Sequence, residues 1–120
     1  MPVNPIPEGY RSVTPHLTVK NAAGLIDFIR RVFGARETMR LAGPDGSVVH
    51  AEVKIGDSVV MIGEPFEPHG TMPGNLYVYV DDVDSTYQRA LDEGAESMMA
   101  PADQFYGDRT AAVRDAWGNW

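Results

Sequence analysis

The sequence predicts an α+β fold in which paired βαβββ modules form a curved mixed sheet around a cleft, with the helices outside. The first observation is an internal repeat, spaced by about 60 residues. An alternating strand, a polar cap, a helix and a Gly-Ala exit occur at 13–35 and again at 76–95. The second is the period-two alternation of the strand segments, which is typical of a sheet covered by helices on one side.

Composition limits the function classes. The chain has 120 residues, of which 43% are hydrophobic and 22% charged, and this favours one folded domain. No apolar run approaches the ~20 residues of a membrane span, and the N-terminus lacks signal-peptide features, so we expect a cytoplasmic protein without membrane contacts. The absence of cysteine excludes disulfides, thiolate metal sites and a cysteine nucleophile. The net charge of -7 without a clustered basic face argues against nucleic-acid partners.

The chain divides into four parts. Residues 1–11 read as an extended, proline-stiffened arm, and 12–63 as the first βαβββ module. The Pro/Gly-rich stretch 64–74 is the natural linker, and 75–120 is the second module. Together the modules are expected to form one domain.

The first module is predicted to contain one helix and four strands. The helix spans about 22–33, with Asn21 as its N-cap and Gly34 in the left-handed position that ends it. The strands lie at 13–19 and near 36–41, 47–55 and 58–63, with turns at Asp45-Gly46 and Gly56-Asp57.

The second module repeats this order but is shorter. A strand at 76–80 precedes a helix at about 83–93, and strands follow near 96–100 and 109–115. By analogy with the first module, a last strand would follow Trp120. Either this strand is cut off after Trp120, or the fold manages without it. Its absence is expected to leave backbone groups of a neighbouring strand unpaired.

The polar faces of the strands are predicted to line a shared hollow that binds a ligand. A flat, solvated sheet face is the alternative, and the two tyrosines of 76–80 argue against it. Glu52 is the one candidate catalytic residue, because burial would raise its pKa and suit it to act as a general base. The acidic balance favours a cationic or neutral ligand. The residues on this face are Thr14, His16, His50, Glu52, Asn75, Tyr77 and Tyr79.

A loop at 103–109 supplies further candidate ligand contacts. Phe105 and Tyr106 could close over a flat ligand, and Arg109 could hold an anionic group or pair with Asp108. The alternative is a loop that packs on the sheet edge. Trp117 is expected either to face the cleft or to pack in the core.

The order of four segments resembles a known family. They are "VTPHLTVKNAAGLIDFIRRVFGA", "HAEVKIGDSVVMIGE", "DQFYGDR" and "VRDAWGNW". They look like the vicinal oxygen chelate superfamily, and within it the PhnB-like glyoxalase/bleomycin-resistance proteins. The resemblance implies paired modules, a cleft within a curved sheet, and a homodimer.

The resemblance also gives the positions of a metal site. Ligands of the family's metal enzymes, such as glyoxalase I, fall at Thr14, Met61 and Asn75, with a fourth beyond Trp120. Threonine, methionine and asparagine are poor ligands for such an ion, so no metal is predicted and Met61 is placed among the ligand-binding residues. A divalent metal on His16, His50 and Glu52 is the second alternative, although His16 and His50 are expected on strands about 9–10 Å apart.

These observations favour a glyoxalase/bleomycin resistance-like protein that binds a small molecule without metal. The alternative is a metal-dependent lyase, isomerase or dioxygenase of the glyoxalase type. A partner-binding module with a vestigial cleft is a third possibility. Nucleophilic catalysis is not supported, because there is no cysteine and no Gly-x-Ser-x-Gly turn.

Overall fold

The computed structural model describes residues 5–65 and 70–120, and it confirms the predicted α+β fold with two helices. The first four residues of the arm and residues 66–69 of the predicted linker lie outside this range. The elements are β1 (His16–Thr18), α1 (Ala22–Phe33), β2 (Arg36–Ala42), β3 (Val48–Ile55), β4 (Ser58–Gly63), α2 (Val83–Asp92), β5 (Glu96–Asp103) and β6 (Arg109–Arg114).

The first half forms a mixed four-stranded sheet in the order β1-β4-β3-β2. The strands β1 and β4 run parallel, whereas the β4–β3 and β3–β2 pairs are antiparallel. Met61 of β4 pairs with His16 of β1 on one side and with Glu52 of β3 on the other. Residues paired in one row of a sheet point to the same face, so these three side chains are neighbours.

Helix α1 has the bounds and caps that the sequence predicts. The Asn21 side chain accepts the N–H of Gly24, and Asn21 itself adopts the left-handed conformation with φ 54°. Gly34 ends the helix at φ 66°, where a glycine carries no Cβ penalty. The apolar face of α1 packs on the aliphatic face of the sheet. The largest fully buried side chains are Val19, Leu25, Ile26, Val32, Val48, Val53 and Ile62.

The second half contains a two-stranded antiparallel sheet of β5 and β6, with α2 packed against it. The strand predicted at 76–80 is not formed as part of a ladder, because this segment pairs with neither β5 nor β6. Its residues still alternate between exposed and half-buried, as a strand would. The first predicted strand, 13–19, is likewise shortened to β1, because only His16–Thr18 pair with β4.

Several polar contacts join the halves, among them an ion pair between Arg31 and Glu93. The Arg89 Nε of α2 donates to the Val32 carbonyl of α1 at 3.1 Å, and Trp117 Nε1 donates to the Asn21 carbonyl at 3.1 Å. The Trp117 ring also lies 5.9 Å from the Phe28 ring, centroid to centroid. Neither described helix has the length and apolar character needed to cross a membrane.

Candidate functional site

Glu52 is the centre of a polar cluster on the first sheet. It lies on β3 between buried apolar neighbours, and only 8% of its side chain is exposed. The Tyr10 hydroxyl donates to its Oε1, and His50 Nε2 lies 2.9 Å from its Oε2. An ionised carboxylate only accepts hydrogen bonds, so the His50 proton lies on Nε2. Each carboxylate oxygen therefore has a hydrogen-bond partner in the protein.

His16 extends this cluster across β4. Its ring stacks on the ring of His50, with the centroids 5.7 Å apart and the planes 30° from parallel. The two histidines belong to β1 and β3, so their side chains meet over Met61. His16 is exposed and His50 half-buried, which gives the cluster an open side at His16.

The protonation of Glu52 differs from the expectation. Burial raises the pKa of Glu52, but the hydrogen bonds from Tyr10 and His50 outweigh it and leave the pKa below its ordinary value of 4.5. The predicted raised pKa is wrong, because its hydrogen-bond partners could not be read from strand alternation. Glu52 is thus ionised at neutral pH, and it accepts hydrogen bonds from Tyr10 and His50.

Tyr10 is a site residue that sequence reasoning missed. It belongs to the arm, whose backbone turns at Pro7 through a hydrogen bond from the Tyr10 N–H to the Pro7 carbonyl. Because Tyr10 donates to the Glu52 carboxylate, the pKa of its phenol is raised. The two residues are 42 positions apart in the sequence, so no local sequence pattern predicts their contact.

The cluster does not fit a divalent metal of the glyoxalase type. Within 5–65 and 70–120, no group of three or more His, Asp or Glu side chains is placed to hold an ion. At the positions of the family's metal ligands, this chain has Thr14, Met61 and Asn75. Thr14 is half-buried just before β1, and Met61 lies in the cluster. Both oxygens of Glu52 are already engaged by protein groups.

Five other predicted residues line a second space: Asn75, Tyr77, Tyr79, Tyr106 and Arg109. A cavity of about 890 Å³ lies between 75–84, α1, α2 and β6, and its walls include Asn75, Tyr77 and Tyr79. The two tyrosine rings lie 5.3 Å apart, and the Tyr77 hydroxyl donates to Asp108 at 3.3 Å. Loss of hydration, together with Tyr106 and Asp108, raises the pKa of Tyr77 to about 12.

Arg109 is held by carboxylates of the protein. Its Nη2 and Nε bond to Asp84 at 2.9 and 3.1 Å, and its Nη1 bonds to Asp103 at 3.1 Å. These hydrogen bonds raise the pKa of Arg109 above its ordinary value. The expected pairing with Asp108 is replaced by Asp84 and Asp103, which take up the guanidinium face that an anionic ligand would need.

Two of the aromatic candidates differ in their surroundings: Phe105 is exposed, whereas Trp117 packs against the core. Phe105 is 99% exposed at the tip of the β5–β6 loop and packs edge-on against Tyr106. Trp117 packs on Phe28 and bonds to the Asn21 carbonyl, so it adopts the core alternative. In sum, the structure brings His16, His50, Glu52 and Met61 together and sets Tyr77, Tyr79, Tyr106 and Arg109 around the cavity.

A βαβββ unit followed by a related second half, with a polar sheet face beneath an arm, defines a glyoxalase-type fold. The sequence matches the family model "Glyoxalase/Bleomycin resistance protein/Dioxygenase superfamily" over residues 11–120. The chain therefore belongs to this superfamily.

Individual relatives agree with this assignment. An uncharacterized protein of Mycobacterium bovis, Mb0911c, is 38% identical over 119 residues, which cover 90% of this chain and 78% of the relative. The crystal structure of TioX from Micromonospora sp. ML1 is similar, with a TM-score of 0.76, 28% identity and coverage of 91% of this chain and 93% of TioX. Lactoylglutathione lyase from Agrobacterium tumefaciens shares the fold, with a TM-score of 0.66, 22% identity and coverage of 97% and 91%.

Proposed function

We propose that this protein binds a small organic molecule at the cluster of Tyr10, His16, His50 and Glu52, without a metal ion. The observation that carries the proposal is the buried, ionised Glu52 carboxylate whose Oε1 is held by a side chain from the arm. Burying an ionised carboxylate costs free energy unless it is hydrogen-bonded. A donor group on a ligand would satisfy Glu52 in the same way as the Tyr10 hydroxyl.

The ligand chemistry follows from what Tyr10 supplies. A hydroxyl or ammonium group on the ligand could donate a hydrogen bond to Glu52, as Tyr10 does. An aromatic ring on the ligand could stack on the flat imidazole rings beside Glu52. Residues 5–9 and 11–13 around Tyr10 are exposed, so displacing the tyrosine uncovers little buried surface. The ligand would then take the place of the Tyr10 hydroxyl at Glu52, beside the stacked rings of His16 and His50.

The acidic chain adds a weaker argument for a neutral or cationic ligand. The net charge is -7, and Glu52 itself is ionised. An anionic ligand would meet the negative charge of the Glu52 carboxylate. The proposal is therefore binding of a phenol or aromatic amine, with the histidines orienting the ring.

The test uses tyramine as the probe, since it carries both a phenol and an ammonium group. Isothermal titration calorimetry on the wild type and on Glu52→Gln compares the affinities, with Glu96→Gln as matched control. Glu96 is an exposed carboxylate paired with Arg114 on the second sheet. We expect at least about tenfold weaker binding for Glu52→Gln, equivalent to the loss of one charge-assisted hydrogen bond. Equal affinities of both variants would refute the proposal.

Three finer assignments complete the proposal. The four sequence segments quoted above support the PhnB-like branch of the superfamily, and the resemblance supports a homodimer. The composition supports a cytoplasmic location. Light scattering coupled to size-exclusion chromatography tests the homodimer, and a monomer at micromolar concentration would refute it.

A further inference from the structure

A β-bulge lies directly beside His50 on β3. Leu41 of β2 pairs with His50, and the next residue, Ala42, pairs with Val48. Val49 is therefore an extra residue of β3 between these two pairs. The bulge reverses the alternation of β3, because Val48 is 1% exposed whereas Val49 is 37% exposed. Bulges re-aim the side chains next to them and are frequent beside functional sites.

Gly63 of β4 leaves room for the bulge. A Cβ atom on Gly63 would lie 2.6 Å from the carbonyl oxygen of Val49, which is a backbone atom and cannot swing aside. The same Cβ would lie 3.8 Å from Cε1 of His16. The glycine thus lets the bulged backbone of β3 approach β4 closely, and the paired rings of His16 and His50 lie beside this contact.

The hydrogen bond to Glu52 determines which nitrogen of His50 can accept. The Nε2 atom carries the proton and donates it to Glu52 Oε2 at 2.9 Å. In a neutral imidazole the other nitrogen, Nδ1, then holds an unshared electron pair and is an acceptor. Within 5–65 and 70–120 no group donates to this Nδ1, although the fully buried side-chain nitrogen and oxygen atoms there all have partners. The Nδ1 atom is therefore accessible to solvent.

We propose that His50 Nδ1 is a second acceptor of the ligand site, held in place by Glu52 and by the bulge beside Gly63. This inference rests on the proposed function and narrows its ligand class. A ligand that replaces the Tyr10 hydroxyl at Glu52 Oε1 presents a second donor, a hydroxyl or an amine, to Nδ1. His50 is thus a specificity-determining residue that favours aromatic ligands with two donor groups over those with one.

Two neutral ligands of equal length provide the test. Tyrosol, or 4-(2-hydroxyethyl)phenol, has a phenol and an alcohol, whereas 4-propylphenol has a methyl group in place of the alcohol. Isothermal titration calorimetry measures both affinities in the wild type and in His50→Ala. We expect His50→Ala to weaken tyrosol at least about fivefold more than 4-propylphenol, because only tyrosol loses a hydrogen bond to Nδ1. An equal loss for both ligands would overturn the inference.

Binding of 4-propylphenol tests the proposed function separately. Its single hydroxyl uses Glu52, so Glu52→Gln should weaken it at least about tenfold. Unchanged binding would refute the small-molecule site and this inference with it. Binding that depends on Glu52, with equal losses of both ligands in His50→Ala, would refute the second acceptor alone.

The positioning of His50 has two further readouts. In protein with ¹⁵N-labelled histidine and no ligand, NMR should show the ring proton of His50 on Nε2, and a proton on Nδ1 would overturn the proposal. Gly63→Ala should lower the preference for tyrosol about as much as His50→Ala does, because the added Cβ displaces the bulge. Gly43→Ala is the matched control, since the nearest neighbours of a Cβ there are side-chain atoms, and it should keep the wild-type preference. A folded Gly63→Ala protein with the wild-type preference would contradict the role of the bulge.

Discussion

The Tyr10 hydroxyl donates to the Glu52 carboxylate across 42 positions of the sequence, and this contact closes the arm over the polar face of the first sheet. Glu52 also accepts a hydrogen bond from His50, so each of its oxygens already has one protein partner. We propose that the ligand binds Glu52 in place of Tyr10, at the oxygen that accepts the tyrosine hydroxyl. Competition between the arm and the ligand is the property that the first prediction addresses.

Replacing Tyr10 with phenylalanine keeps the ring and removes the hydroxyl. We expect the free energy of unfolding to fall by about 1–2 kcal/mol, because Glu52 loses one hydrogen bond. Affinity for tyramine should rise, because the competing donor is gone. Urea denaturation and calorimetry measure the two effects, and an affinity that stays the same or falls would show that ligand and Tyr10 do not share Glu52.

The lowered pKa of Glu52 predicts a pH dependence of stability. A carboxyl whose pKa is lower in the folded than in the unfolded protein stabilises the fold fully above its unfolded pKa, near 4.5, and this contribution is lost as pH falls through the folded value. The wild type should thus lose stability below pH 4.5 more steeply than Glu52→Gln. Urea midpoints measured between about pH 6 and pH 3 test this, and parallel curves would contradict it.

The two histidines should differ in their effect on stability. His50→Ala removes a hydrogen bond to a buried carboxylate and should cost about 1–3 kcal/mol. His16→Ala removes an exposed ring that stacks on His50 and should cost less than about 1 kcal/mol. Thermal denaturation compares the variants. A larger loss for His16→Ala would mean that the stacked pair, rather than the Glu52 contact, dominates.

Trp117 should be a core residue without a role in binding. Trp117→Ala removes packing against Phe28 and the hydrogen bond to the Asn21 carbonyl, and should cost about 3 kcal/mol. Trp117→Phe should recover most of that loss. Tyramine affinity of the folded Trp117→Phe protein should equal that of the wild type. A clear loss of affinity with normal stability would instead place Trp117 in the binding site.

The donor set of the cluster predicts that no transition metal is retained in stoichiometric amount. Elemental analysis of protein purified without chelator or affinity metal should find Ni, Zn, Fe and Mn well below one per chain. A chelator should leave the melting temperature unchanged. One equivalent of any of these metals would favour the glyoxalase-type enzyme alternative.

Local signals predicted the helices and the first sheet. Helix α1 follows from a 3.6-residue apolar period bounded by Asn21 and Gly34, and the strands β2 to β4 follow from alternation and turn residues. The segment 76–80 shows that local signals do not predict which strands pair. Its alternation is that of a strand, but a ladder needs a partner, and partners are set by the tertiary fold.

The candidate site was only partly predictable. Alternation placed His16, His50 and Glu52 on one face, which the register of β1, β4 and β3 reproduces. The Tyr10 contact and the resulting direction of the Glu52 pKa depend on where a non-repetitive arm folds back. The Arg109 partners, Asp84 and Asp103, likewise come from different elements, and no sequence spacing links Asp84 to Arg109.

The most direct measurement follows the Tyr10 ring by NMR in protein with ¹³C-labelled tyrosine while tyramine is added. Displacement predicts that the Tyr10 ring resonances move to the positions of a water-exposed phenol as the site saturates, and that Glu52→Gln abolishes this change. Saturable tyramine binding that leaves the Tyr10 resonances in place would contradict the account.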